Sequence, residues 1–144
     1  MKAAPIICLF ALLLSSTSNA ASQQFNLRCR GTVDLLELGK DESSPYEKVL
    51  RVDLTKKLWC EGECEQTTPI FSIQDTRLVL TSTKNETRTM ESSVSEVINR
   101  TTGEHSALIA LRSFGRSSFA SSKSWKGTCE AEPFTGFPKP KTKF

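Results

Sequence analysis

Residues 25–36, FNLRCRGTVDLL, constrain the fold more than any other stretch of the chain. Phe25, Leu27, Cys29, Val33 and Leu35 are apolar, and Asn26, Arg28, Arg30, Thr32 and Asp34 between them are polar. Only Gly31 interrupts the apolar register. A period of two held over this length specifies a β-strand with one face on a core and the other in water. Residues 124–131 alternate in the same way, with Trp125, Gly127, Cys129 and Ala131 on one face. If the two strands run antiparallel with Cys29 opposite Cys129, Val33 faces Trp125, Gly31 faces Gly127 and Leu27 faces Ala131. Apolar then meets apolar, and the paired glycines permit bending or close packing. First strand beside last strand is also what closing a barrel requires.

The rest of the chain reads as short strands joined by turns. After a polar connection at residues 39–45, Leu50, Val52 and Leu54 alternate with Arg51 and Asp53. Lys56 and Lys57 form a turn before a short return strand at residues 58–60. Residues 69–74 and 77–82 make the next pair, followed by a turn at Lys84, Asn85 and Glu86. Residues 94–101 and 104–112 form the clearest hairpin, with Val94, Ile98, Leu108 and Leu111 as apolar contacts and Thr102-Gly103 as the turn. Residues 115–123 are Ser-rich and read as a long loop. Residues 86–99 are too rich in β-branched residues and Ser for a helix. The expected fold class is all-β: a small antiparallel meander of about seven to nine strands, barrel-like, with a two-sheet sandwich as the alternative.

The ends of the chain have separate roles. Lys2, the apolar run at residues 3–14 and the small residues Ser18 and Ala20 have the form of a secretory signal peptide cut after Ala20. The run is short for a membrane span, so no stable membrane insertion is expected after cleavage. Residues 21–132 then form one β domain, and residues 133–144 a Phe/Pro/Lys tail. Four of the 19 Lys and Arg (Lys2, Lys139, Lys141, Lys143) lie at the ends, so 15 remain to face all 16 acids. The domain is therefore nearly neutral despite the formal +3, and it carries no basic stripe suited to nucleic acid. Beyond the signal there are four cysteines, Cys29, Cys60, Cys64 and Cys129. An oxidising compartment makes two disulfides the first reading. Of three possible connectivities, Cys29–Cys129 with Cys60–Cys64 is preferred on the strand register and the short Cys60–Cys64 spacing.

Catalytic equipment is sparse. His105 is the single histidine; with no nucleophile near it in sequence, it is expected at the surface or at a strand end rather than in a catalytic role. No Walker loop, dinucleotide fingerprint, nucleophile elbow or zinc-protease motif occurs. Cys60 and Cys64 favour a local disulfide over a metal site, and the neighbouring Glu61, Glu63 and Glu65 read as a solvated loop. Neither a cofactor nor a metal is expected. Trp59, Trp125, Phe71, Phe119 and Tyr46 are expected to fill a barrel core rather than line a cavity. Asn85 and Asn99 begin N-glycosylation acceptor patterns, which matter only in a eukaryotic secretory pathway.

Three patches carry a resemblance: Phe25-x-Leu-x-Cys29-x-Gly31, Ile98-Asn-Arg-Thr-Thr-Gly103, and Gly127-x-Cys129 followed by Phe134-x-Gly-Phe-Pro138 and Lys143-Phe144. With Cys60 and Cys64 after Asp53-Leu54, the chain resembles a group of small exported bacterial proteins. The resemblance implies a periplasmic or secreted protein. It brings no activity and no catalytic residues, and it implies that Phe134, Phe137 and Phe144 fold the tail back onto the domain. The expected function is a non-enzymatic binding or interaction module whose partner is a protein or a small ligand. The alternatives are an inhibitor of a periplasmic or host hydrolase, acting through the Ser-rich loop at residues 114–123 with Ser121, Ser122 and Lys123 as its candidate contact residues, and a lipocalin-like small-ligand carrier.

Overall fold

The computed structural model describes residues 23–37, 40–63, 65–115 and 118–138; the signal-like segment, Cys64 and Phe144 lie outside them. Nine antiparallel strands form one curled half-barrel sheet: β1 (Gln24–Glu37), β2 (Lys40–Asp53), β3 (Leu58–Glu61), β4 (Thr68–Pro69), β5 (Ser72–Ile73), β6 (Arg77–Glu86), β7 (Met90–Asn99), β8 (Glu104–Ser113) and β9 (Ala120–Glu132). There is no helix among the described residues, and so none long and apolar enough to cross a membrane. The sandwich alternative falls, because every strand joins the same sheet, in the order β4-β3-β2-β1-β9-β8-β7-β6-β5.

The β1–β9 register is the one the sequence predicts: Leu27 opposes Ala131, Cys29 opposes Cys129, Gly31 opposes Gly127 and Val33 opposes Trp125. The Cys29–Cys129 disulfide joins residues 100 apart in sequence, and loop-closure entropy alone makes a crosslink of that span worth about 4–5 kcal/mol. The seam is at the middle of the sheet, however, and the gap falls elsewhere. β3 covers β2 only along residues 50–53, and β5 covers β6 only at Leu78 and Val79. The half of β2 from residue 40 to 48 thus keeps a free outer edge among the described residues. Gly62 donates its N–H to the Val49 carbonyl, which places the odd-numbered backbone groups of β2 on that edge. Pro45 shares this parity, so its missing N–H falls where an added strand would need a donor.

Several strands run longer than the sequence reading. Residues 40–45 belong to β2, residues 84–86 to β6 and residues 120–123 to β9, rather than to connections. Pairing to a neighbour on each side orders the polar stretch of β9, and tertiary context overrides weak local propensity there. The core occupies one end of the inner face. Leu27, Leu50, Val52, Leu54, Trp59, Ile70, Leu78, Leu80 and Ile98 pack around the disulfide. The outer face is polar, with Arg28 bonded to Glu47 and Glu132 and Arg30 to Glu47. The tail returns over this face: Thr135 Oγ1 accepts from Asn26 Nδ2 at 3.0 Å and from Arg51 Nε at 3.3 Å. Phe134 and Phe137 meet edge to face there.

A Cβ on Gly31 would run into the backbone of Lys126 and Gly127, and one on Gly127 into the backbone of Arg30. Strand backbones in mid-sheet cannot yield, so Gly31→Ala or Gly127→Ala is expected to cost about 3 kcal/mol in urea unfolding. Gly62→Ala, with φ +58 but open space around it, is expected to cost about 1 kcal/mol. Equal small losses at all three positions would show that the strands do not approach this closely.

Candidate ligand-binding site

The inner face is organised in rows across the strands. One row runs His105, Gly127, Gly31 and Tyr46 across β8, β9, β1 and β2. The two glycines carry no side chain, so Tyr46 and His105 reach over them and meet, with Tyr46 Oη 2.7 Å from His105 Nδ1. A Cβ on Gly127 would lie 2.7 Å from the Tyr46 hydroxyl. The other imidazole nitrogen, Nε2, is 3.0 Å from Glu96 Oε1 on β7. Lys48 Nζ on β2 comes to 2.5 Å from the same oxygen. The imidazole thus bridges the tyrosine hydroxyl at Nδ1 and the carboxylate at Nε2.

This chain of bonds bridges β2 to β7 and β8 across the bowl, where no strand ladder does so. Burial alone would raise the Glu96 carboxyl, but the hydrogen bond from His105 and the charge of Lys48 outweigh it and hold the group below its ordinary 4.5. Burial, and after it the Glu96 charge, push the Tyr46 phenol above its ordinary 10.0. The hydroxyl–imidazole–carboxylate order is that of a nucleophilic triad. The imidazole is 1 % exposed, and the chain of bonds braces β2 against β7 and β8 as a strut. His105 does lie near a strand end, as expected, but it is buried rather than at the surface.

A cavity of about 480 Å³ opens below the disulfide, at the closed end of the bowl. Leu27, Leu78 and Ile98 floor it, and Phe25, Leu54 and Ala131 wall it. Its rim is the β7–β8 turn, residues 99–103. Asn99 Oδ1 accepts from the N–H groups of Thr101 and Thr102, at 2.9 and 3.1 Å. Gly103, at φ +73, lies so close to Cys129 that no Cβ fits, and its carbonyl accepts the Cys129 N–H at 2.7 Å. Arg100 ties this rim to the β5–β6 connection, donating its N–H to the Thr76 carbonyl and Nη1 to the Gln74 carbonyl. The volume falls in the range of small-molecule pockets, about 300–1,000 Å³.

Other expected residues are dispersed. Ser121, Ser122 and Lys123 lie in β9, paired with β1 and β8 on either side, and form no loop. Lys123 and Lys48 both approach the Trp125 ring, at 5.0 and 5.6 Å. Cys60 is buried and disulfide-bonded; Cys64, its expected partner, lies outside the described residues. Trp59 is buried as expected, but Phe71, in the β4–β5 connection, is 65 % exposed and Phe119, in the β8–β9 connection, is also exposed. Leu108, expected to supply an apolar contact in the hairpin, opposes Ser95 and Ser124 on the outer face, and Ala107 takes the inward place. Among the described residues no group of three or more His, Cys, Asp or Glu side chains is placed to hold a metal ion. The sequence reading missed Glu96, Lys48 and Arg100. The first two had a signal, since Glu96 shares the inward parity of Val94 and Ile98, and Lys48 that of Leu50 and Val52. A charged residue in an apolar register marks a buried polar contact.

Comparison with protein-family models, with curated proteins and with solved structures returns no match.

Glu96→Gln leaves Lys48 with a neutral amide and the looser Glu61 carboxylate at 3.5 Å, and is expected to cost about 2 kcal/mol at neutral pH. A carboxyl whose folded pKa is depressed stabilises the fold above its unfolded value and loses that contribution as pH falls through the folded value. Wild-type Tm is therefore expected to drop between about pH 5 and 3, and Glu96→Gln to remove part of that drop. Parallel Tm–pH curves for the two proteins would contradict the strut.

Proposed function

We propose that the protein is an exported, non-enzymatic binding module that takes a small, largely apolar ligand into the cavity at the closed end of the half-barrel. The observation that carries the reading is the cavity of about 480 Å³, with its apolar floor and walls and its rim fixed by the β7–β8 turn. The carrier reading of the sequence and the binding-module reading meet at this one place. A disulfide spanning 100 residues supports an oxidising compartment, and the signal-like residues 3–20 support export to it. A bacterial envelope location follows from the resemblance of the three sequence patches. Ser121, Ser122 and Lys123 are held in β9 between β1 and β8, so an inhibitory loop would be confined to the β8–β9 connection before Ala120.

Ala131 lines the cavity from an exposed position, so a larger side chain there fills the mouth with little cost to the core. Wild-type protein is expected to bind the neutral apolar dye N-phenyl-1-naphthylamine with saturable fluorescence enhancement. Ala131→Trp is expected to abolish saturation while Tm stays within a few degrees of wild type. Dye binding that is unchanged in Ala131→Trp would move the ligand site elsewhere, and absence of saturable binding to wild type would defeat the reading.

A further inference from the structure

Resting on the ligand-binding reading above, we propose that the cavity takes a single medium-length alkyl chain with an anionic head, and that Arg100 is the residue that selects the head group. The apolar body is set by Leu27, Leu78 and Ile98 on the floor and Phe25 on the wall. The head is set by charge. Arg100 is the only charged residue among the described lining residues, and no carboxylate lines the cavity with it. An anion at the mouth therefore meets a cation with no competing acid on the lining, while a cationic head is repelled.

The guanidinium is held in place. The Arg100 backbone N–H donates to the Thr76 carbonyl at 2.9 Å and the guanidinium Nη1 to the Gln74 carbonyl at 2.8 Å. One corner of the planar fork is thereby fixed beside the rim, and the remaining N–H donors stay available for a carboxylate or phosphate, which they match in geometry. Thr101 and Thr102 lie next to Arg100 on the same rim, with the Thr102 hydroxyl accepting the Glu104 N–H at 3.3 Å. A cavity of about 480 Å³ suits one alkyl chain rather than a two-chain lipid. A carboxylate and a phosphate monoester present the same chemistry to a guanidinium, so the two are separated by experiment.

Calorimetric titration of the whole mature protein with decanoate, decyl phosphate and decanol tests the proposal. At least one anion is expected to bind about tenfold more tightly than decanol, and the tighter anion names the head group. Arg100→Gln is expected to erase the preference, so that anion and decanol bind the variant with equal affinity. Salt provides a second measure that needs no variant: affinity for the anion is expected to fall with ionic strength and that for decanol to hold steady. Equal affinities for all three compounds overturn the head-group assignment and leave the apolar site standing. A preference that survives Arg100→Gln, or that ignores salt, also overturns it. No binding by any of the three, with no dye saturation, overturns the binding reading itself.

Discussion

The pairing of β1 with β9 is the constraint on which the rest of the structure depends. It joins the two ends of the described domain, is closed covalently at Cys29–Cys129, and sets the two glycines opposite each other. A shift of one residue would turn every inward side chain of β1 to the outer face, and the disulfide and the glycine pair together prevent such a shift. β1 and β9 hold the middle of the sheet, so what hangs from them on each side inherits their register. β2 brings Tyr46 and Lys48 inward on one side, and β8 brings His105 and Ala107 inward on the other.

The inner face is thereby divided along its length. At one end apolar side chains surround the disulfide and border the cavity. In the middle the Tyr46–His105–Glu96–Lys48 chain crosses the bowl. Beyond it the face stays partly open, with Ile109 48 % exposed, because β3 and β5 are too short to bridge the long strands. A buried ion pair adds little net stability but is costly to break. Its role here is positional: it fixes β2 against β7 where backbone bonding is absent. The cavity lies on the better-packed side of this strut, with a rim held by Asn99, Gly103 and Arg100.

Much of the fold was legible because the strongest alternating segments were also the most central. The cysteines and glycines of residues 25–36 and 124–131 fall at matching intervals, so one assumed pairing predicts the whole register. The edges were less legible. Polar stretches such as residues 40–45 and 120–123 carry little intrinsic strand preference and become strands through neighbours distant in sequence. The half-open form depends on the lengths of β3 and β5, which no local pattern encodes, and Phe71 and Phe119 fall in connections rather than in the core expected for them. The strut was half legible: Glu96 and Lys48 break an apolar register, but their meeting with His105 is a matter of tertiary geometry. Arg100 had no signal, since a charged residue in a turn is the ordinary case.

Native-state amide hydrogen exchange, resolved by peptide, tests the central claim most directly. If the β1–β9 seam organises the domain, amides of residues 27–33 and 125–131 exchange last and only through global unfolding. The outer edge of β2, with β4 and β5, exchanges well before them. Protection of the β6–β7 hairpin exceeding that of β1 and β9 would contradict the account and place the organising contact elsewhere in the sheet.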